Sequence, residues 1–313
     1  MAENKTTEPN RLQDVASVDE LIQHLRNKGK RHRSYRHYTN CDGVVGMIDS
    51  GYLWLSRGDI MNDRQELTKG SPEEWPNIYL ASFVYGESEN VAMWAIYGLP
   101  HNEAACISFP NRKFHTWVTN ITELYNPKES YERVDVEFDV DLADVVYVGG
   151  KRGAPNAILK RGDDQFVYDD GLESGKLYNL SNEPKLTGYI KNIAWAYENE
   201  VRIRVKLRNN HTNRFNNLNR IAIRLPEDFF VSDKDDETIS ITSGPWKDKT
   251  NHDIFMEALK RSNRYPFFDR KLNFKDSEFD NLVRLKELCE LYNCGQKNTT
   301  RRRIAPSIFQ GKV

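Results

Sequence analysis

The chain has 313 residues, 38% hydrophobic and 29% charged, with a net charge of −1, so it has material for one large domain and is not a globally basic nucleic-acid binder. No stretch approaches the ~20 apolar residues of a membrane span, and the N-terminal MAENKTTEPNRLQDVAS carries no apolar signal region. The four cysteines form no CxxC pair and the seven histidines no zinc spacing, which argues for a cytoplasmic protein with free thiols and against a metal enzyme.

Residues 1–30 read as a polar segment and a short helix, opened by the capping-box pattern Ser17–Glu20 and ending near Arg26. Tyr35–Thr39 and Tyr52–Ser56 alternate as strands. Between them Asn40 is an N-cap, Val44, Val45, Met47 and Ile48 form a helical stripe, and Gly51 closes the helix. Arg57–Trp75 reads as loop and Ile78–Phe83 as a strand. Ser88 is expected to cap a helix over Glu89–Tyr97, with Trp94 in the core. Ala104–Phe109 is a further strand, with Cys106 as a small buried filler. Residues 130–148 hold one or two strands, and Gly149–Gly175 reads as a long, mobile loop. Ser181 and Pro184 predict a helix running to about Ala196.

The next stretch organises the chain. From Glu198 to Leu207 the residues alternate: Val201, Ile203, Val205 and Leu207 on one side, Glu198, Glu200, Arg202, Arg204 and Lys206 on the other. That is a strand with one buried face and one charged, exposed face. It places Glu198 and Glu200 on the same side, about 7 Å apart. Arg220–Leu225 and Ile239–Thr242 are the last expected strands. Helices over Asp253–Ser262 and Glu278–Cys294 make a helical C-terminal end, and 297–313 is a basic tail. The class is α+β, with a main domain over 31–250 and C-terminal helices over 251–296.

Charge is segregated. Arg26–Arg36 holds six Lys/Arg and no acid, and Lys191–Arg224 holds eight Lys/Arg against two acids. The same residues have bland readings: Tyr52 and Trp54 as core, His37 as a satisfied core histidine, the charged strand face as merely wet.

Several short motifs, taken in order, carry a resemblance. His37-Tyr38-Thr39, then Gly51-Tyr-Leu-Trp-Leu-Ser56, then Asn62-Asp63 with Glu66, look like the opening of the domain-of-unknown-function 2971 family. Ala92-Met-Trp-Ala-Ile-Tyr97, Cys106–Phe109, Trp195–Arg202 and Gly244-Pro245 are similar to its later segments, and Arg64 departs from the family's more usual proline. The match spans roughly residues 33–270. That family in turn resembles the ADP-ribosyltransferase superfold, split antiparallel sheets with NAD in the cleft.

The resemblance implies an NAD-dependent ADP-ribosyltransferase, a toxin or phage-defence effector with an antitoxin as a possible partner. Glu200 would stabilise the ribose, Glu198 would orient or deprotonate the acceptor, and His37 would hold a ribose hydroxyl. NAD would be bound by His37, Tyr38, Thr39, Tyr52, Ser56, Asn62 and Arg202, with Tyr52 stacking on nicotinamide and Arg202 holding pyrophosphate or steadying Glu200. The basic segments suggest RNA or single-stranded DNA as acceptor, with Arg31, Arg33, Arg204 and Lys206 on phosphates. Protein as acceptor, NAD hydrolysis, and a non-catalytic binding or regulatory domain are the alternatives.

Overall fold

The structure is a computed structural model that describes residues 18–61, 66–68, 70–86, 88–98, 104–148, 159–161, 165–167, 184–208, 218–230, 239–245, 249–261 and 273–279. Asn62, Ser17, Ser181, the expected helix after residue 279 and the basic tail lie outside the described residues. Helix α1 (Val18–Gly29) leads to β1 (Ser34–Asn40), α2 (Cys41–Ser50) and β2 (Tyr52–Arg57). As expected, Asn40 Oδ1 accepts from the Gly43 N–H at 2.8 Å, and Gly51 ends the helix at φ 75°. Then come β3 (Ile78–Val84), α3 (Val91–Gly98), β4 (Ala104–Pro110) and α4 (Asn111–Thr119). The cap of α3 is Asn90, not Ser88: its Oδ1 accepts from the N–H groups of Ala92 and Met93. Helix α4 was not expected. It buries Phe114 and Val118, one turn apart, against the core.

Short strands follow: β5 (Leu124–Asn126), β6 (Glu132–Val134), β7 (Phe138–Asp144) and β8 (Val146–Val148). A hairpin of β9 (Leu159–Arg161) and β10 (Gln165–Val167) occupies part of the expected loop. The helix expected before Ala196 does not form. Its place is taken by a 3₁₀ turn (Pro184–Leu186), β11 (Ile190–Asn192) and a six-residue 3₁₀ helix (Ile193–Glu198). Gly188, at φ 86°, turns the chain so that β11 pairs in parallel with β8. The later described elements are β12 (Glu200–Leu207), β13 (Arg220–Arg224), β14 (Ser240–Ser243), α5 (Lys249–Arg261) and β15 (Asn273–Asp276). Strand β15, a parallel edge partner of β14, lies between the two expected C-terminal helices, the first of which is α5.

Eleven strands form one mixed, mostly antiparallel sheet, and its topology creates an opening. One edge of β3 pairs with β12 along its whole length, Val84 with Glu200 through Ile78 with Lys206. The other edge is shared. Strand β1 pairs there only at Val84, and β2 only at Leu80 and Tyr79. Between them, at Ala81–Phe83, the sheet is split. Beyond β1 lie β4, β14 and β15; beyond β2 lie β13, β5 and β6. The main core fills the other side, with Tyr79, Ala81, Phe83, Val201, Ile203 and Val205 packed beside residues of α2, α4 and α5. No helix among the described residues is long and apolar enough to cross a membrane.

Of the basic run only its last residue, Arg36, reaches the opening. Arg26 pairs with Asp141 at 2.7 Å, Lys28 lies 3.9 Å from Asp144, and His32 Nε2 lies 2.5 Å from Asp144. The segregated basic and acidic segments therefore meet each other, and α1 is held on β7.

Candidate active site

The split opens into a cleft of about 670 Å³. Its walls are β1 (Arg36–Asn40), the start of α2, β2 (Tyr52, Trp54, Ser56) and α3 (Met93, Ile96); its floor is Leu80–Val84 of β3. Lys191, Trp195, Glu198, Glu200 and Glu66 close the inner end. The structure thus brings His37, Tyr38, Thr39, Tyr52, Ser56, Glu198 and Glu200 to one cavity.

Strand β12 has the expected alternation, but its charged face is not wet. The 184–198 segment lies over it and buries Glu200, Arg202 and Arg204 to 3%, 0% and 4% exposure. Burial on both faces means these charges persist only by pairing. Arg202 Nε donates to Glu200 Oε1 at 2.6 Å and Nη2 to Glu200 Oε2 at 3.1 Å. The same guanidinium grips Glu66, with Nη2 to Oε2 at 3.0 Å, and donates to Gly188 O at 3.0 Å. Lys191 Nζ bridges Glu198 and Glu200, the latter at 3.0 Å. The hydroxyl of Tyr147 accepts from the Glu200 backbone N–H at 2.8 Å.

Glu198 and Glu200 are not neighbours on one strand, as the alternation suggested. Glu198 ends the 3₁₀ helix, and Asn199, at φ 47°, turns the chain into β12. A left-handed residue of this kind favours Asn over all but Gly. The two carboxylates converge because one ammonium, that of Lys191, holds both.

Their environments push them apart. Burial raises the Glu200 carboxyl, but Arg202 and Lys191 outweigh it and hold it at about 2. For Glu198 burial and the neighbouring Glu200 charge prevail over Lys191, and it is pushed up to about 7. Burial likewise raises Glu66, against the pull of Arg202. Glu66, Glu198 and Glu200 face Lys191 and Arg202, so the cluster holds three carboxyl groups against two cations. One carboxylate in excess explains why one of them takes a proton near neutrality.

His37 sits at the split itself. Its Nδ1 lies 2.9 Å from Ser82 O, a carbonyl that can only accept, so the proton is on Nδ1. Burial lowers its basicity, leaving a neutral ring with Nε2 as acceptor. The core reading of His37 thus fails: it lines the cleft. On β2, Leu53 and Leu55 enter the core while Tyr52, Trp54 and Ser56 line the cleft, so the core reading of Tyr52 and Trp54 fails too. Trp94 and Cys106 are core, as expected, at 0% and 1% exposure.

The expected phosphate contacts are mostly elsewhere. Arg204 is buried, donating to Thr187 O at 2.9 Å, ion-paired with Asp141 and lying over the Tyr189 ring. Lys206 pairs with Glu74 at 2.6 Å. Arg31 and Arg33 are exposed but are not among the cleft's lining residues. Arg202 steadies Glu200 and is spent on it and Glu66. The cleft's arginines are Arg36 and Arg220. Lys191 and Tyr147 carry no local pattern that marks them for the site: each is brought to it from another segment. Glu66 stood within a quoted motif without a role.

No family model matches the chain, and no curated protein or solved structure matches it either.

Proposed function

We propose that the cleft binds NAD and that the chain is an ADP-ribosyltransferase with NAD as donor substrate. The observation that carries this is the cavity at the split sheet, with an ionised carboxylate, Glu200, fixed at its inner end beside a second, Glu198, poised near neutrality. Two carboxyl groups with separated pKa values are what an acid–base division of labour requires. The motif resemblance to ADP-ribosyltransferases supports the same reading.

The residues present suit that donor. The volume lies within the range of small-molecule sites, roughly 300–1,000 Å³. A cluster with one carboxylate in excess favours a cationic pyridinium and developing positive charge at ribose C1′. His37 offers Nε2 to a ribose hydroxyl. Tyr52, its ring stacked on Tyr131 at 4.1 Å, offers an aromatic wall for nicotinamide. In the transfer, the bond from C1′ to the nicotinamide nitrogen breaks, and its electron pair leaves with neutral nicotinamide. The new bond joins C1′ to an acceptor oxygen or nitrogen, whose proton passes to Glu198. Such chemistry suits a toxin or phage-defence effector restrained by an antitoxin.

A second reading has one observation in its favour. Both oxygens of Glu200 are already bonded to Arg202 and Lys191, as in a structural ion network on a non-catalytic binding domain. Incubation with NAD labelled in its adenylate part, alone and with RNA, DNA or cell lysate, separates these. Label on a macromolecule with release of nicotinamide supports transfer. Free ADP-ribose alone points to hydrolysis. Intact NAD in every arm supports the binding domain and rejects the proposal.

A further inference from the structure

A strip of sheet runs outward from the cleft mouth, and its composition sets it apart from an ordinary solvated face. On β2, Tyr52 and Trp54 share the cleft side. Trp54 is in register with Ala222 on β13, and Ala222 with Tyr125 on β5. The small alanine leaves the rings to dominate this face. Tyr52 meets Tyr125 edge-on at 5.0 Å and stacks on Tyr131. Trp54 Nε1 donates to the Tyr131 hydroxyl at 3.2 Å, and the Arg220 guanidinium lies 5.5 Å from the Trp54 ring. Yet Trp54 remains 44% exposed. Tyr131 holds φ 61°, an uncommon conformation for a bulky residue, sustained here by its ring contacts.

We infer that this strip docks the acceptor, and that the acceptor is a single-stranded nucleic acid with a base stacked on Trp54 and phosphates met by Arg220 and Arg36. The inference rests on the transfer reading above and deepens it. Rings with an arginine over them suit the π-face that every nucleobase presents. A protein partner could use the same rings, and it is the outcome the test separates from a nucleic acid. The strip is continuous with the cleft, since Tyr52, Trp54 and Arg220 line both. A base paired in a duplex could not reach the cleft without leaving its stack, which selects the single strand. Both cations come from the basic segments of the sequence: Arg220 lies over the Trp54 ring, and Arg36, whose Nη1 donates to Ser88 O, lines the cleft.

The test is equilibrium binding to the full chain without NAD, read by the anisotropy of fluorescein-labelled RNA and DNA strands of about 12 nucleotides, and of the matching duplexes. The single strands should bind, the duplexes less tightly, and binding should weaken steeply between about 50 and 200 mM salt. Trp54→Ala should weaken binding by roughly tenfold while Trp54→Phe, which keeps a ring, retains most of it. Arg220→Glu, at an exposed position, provides the second variant and should also weaken it. The inference is overturned if the single strands do not bind, if duplex binds as tightly, or if the variants bind like the parent. Absent oligonucleotide binding with transfer of label to lysate protein would remove this acceptor and leave the transfer reading intact. Oligonucleotide binding with NAD never broken would overturn the acceptor role together with the transfer reading, leaving only a nucleic-acid surface.

Discussion

At the scale of single residues, the site is governed by charge held away from water. Glu200 stays ionised because two cations outweigh its burial; Glu198, bonded to Lys191 alone, is held at about 7. If Glu198 accepts the acceptor's proton, it acts only when ionised. Transfer to a macromolecule should therefore rise with pH through about 7 and level off above it. Glu198→Gln should remove that limb from the pH–rate profile; a limb unchanged in the variant would assign it to another group. Arg202 makes a different prediction. Its removal leaves Glu66 and Glu200 buried and facing each other without their shared cation. Arg202→Ala should cost about 3–5 kcal/mol in denaturant unfolding; a cost below 1 kcal/mol, about that of an exposed pair, would show that the network is relaxed or hydrated. The residue types of the site were legible in the sequence, since Glu198, Glu200, Arg202 and His37 stood out by pattern. Their burial was not. Alternation shows which residues share a face, but not whether a distant segment will cover it.

At the scale of elements, the strands were the readable part. The expected spans of β1, β2, β3, β4, β12 and β13 match the observed ones closely: β1, β2, β12 and β13 alternate, while β3 and β4 are short apolar runs buried on both faces. The segment before β12 misled for a physical reason. Leu186, Tyr189, Ile190 and Ile193 recur at three and four, a helical spacing, yet Gly188 in the left-handed region breaks the chain there. Helix α4 carried a legible signal in Phe114, Trp117 and Val118, which the stop at Pro110 obscured. The turn at Asn199 is where element and site meet, because it swings Glu198 towards Lys191. Asn199→Val should cost about 1–3 kcal/mol, since a β-branched residue resists φ 47°. Asn199→Gly should be nearly neutral. Urea midpoints for the two variants check this, and equal midpoints would mean the turn relaxes without strain.

At the scale of the whole molecule, one strand with two differently shared edges explains the cleft. Strand β3 is paired fully by β12 and only at its ends by β1 and β2, so the sheet must open at Ala81–Phe83. This could not be read from local pattern, as it depends on pairing between strands far apart in sequence. The N-terminal helix belongs to the same body. Leu21, Ile22 and Leu25 pack with Ala143 and Val146, and Gly29 lies so close that an added Cβ would sit 2.8 Å from Ala143 Cα. Gly29→Val should therefore lower the thermal midpoint, at a cost of about 1–3 kcal/mol for overpacking. An unchanged midpoint would mean that α1 is not tied to the sheet's stability.

If Glu200 stabilises charge on the ribose of NAD, as proposed, the rate of nicotinamide release by the Glu200→Gln chain must show it. With the fold intact by circular dichroism, release should fall by on the order of 10²–10³ relative to the parent, the loss expected for one electrostatic stabiliser. Release at the parental rate from a folded Glu200→Gln chain would exclude that role for Glu200.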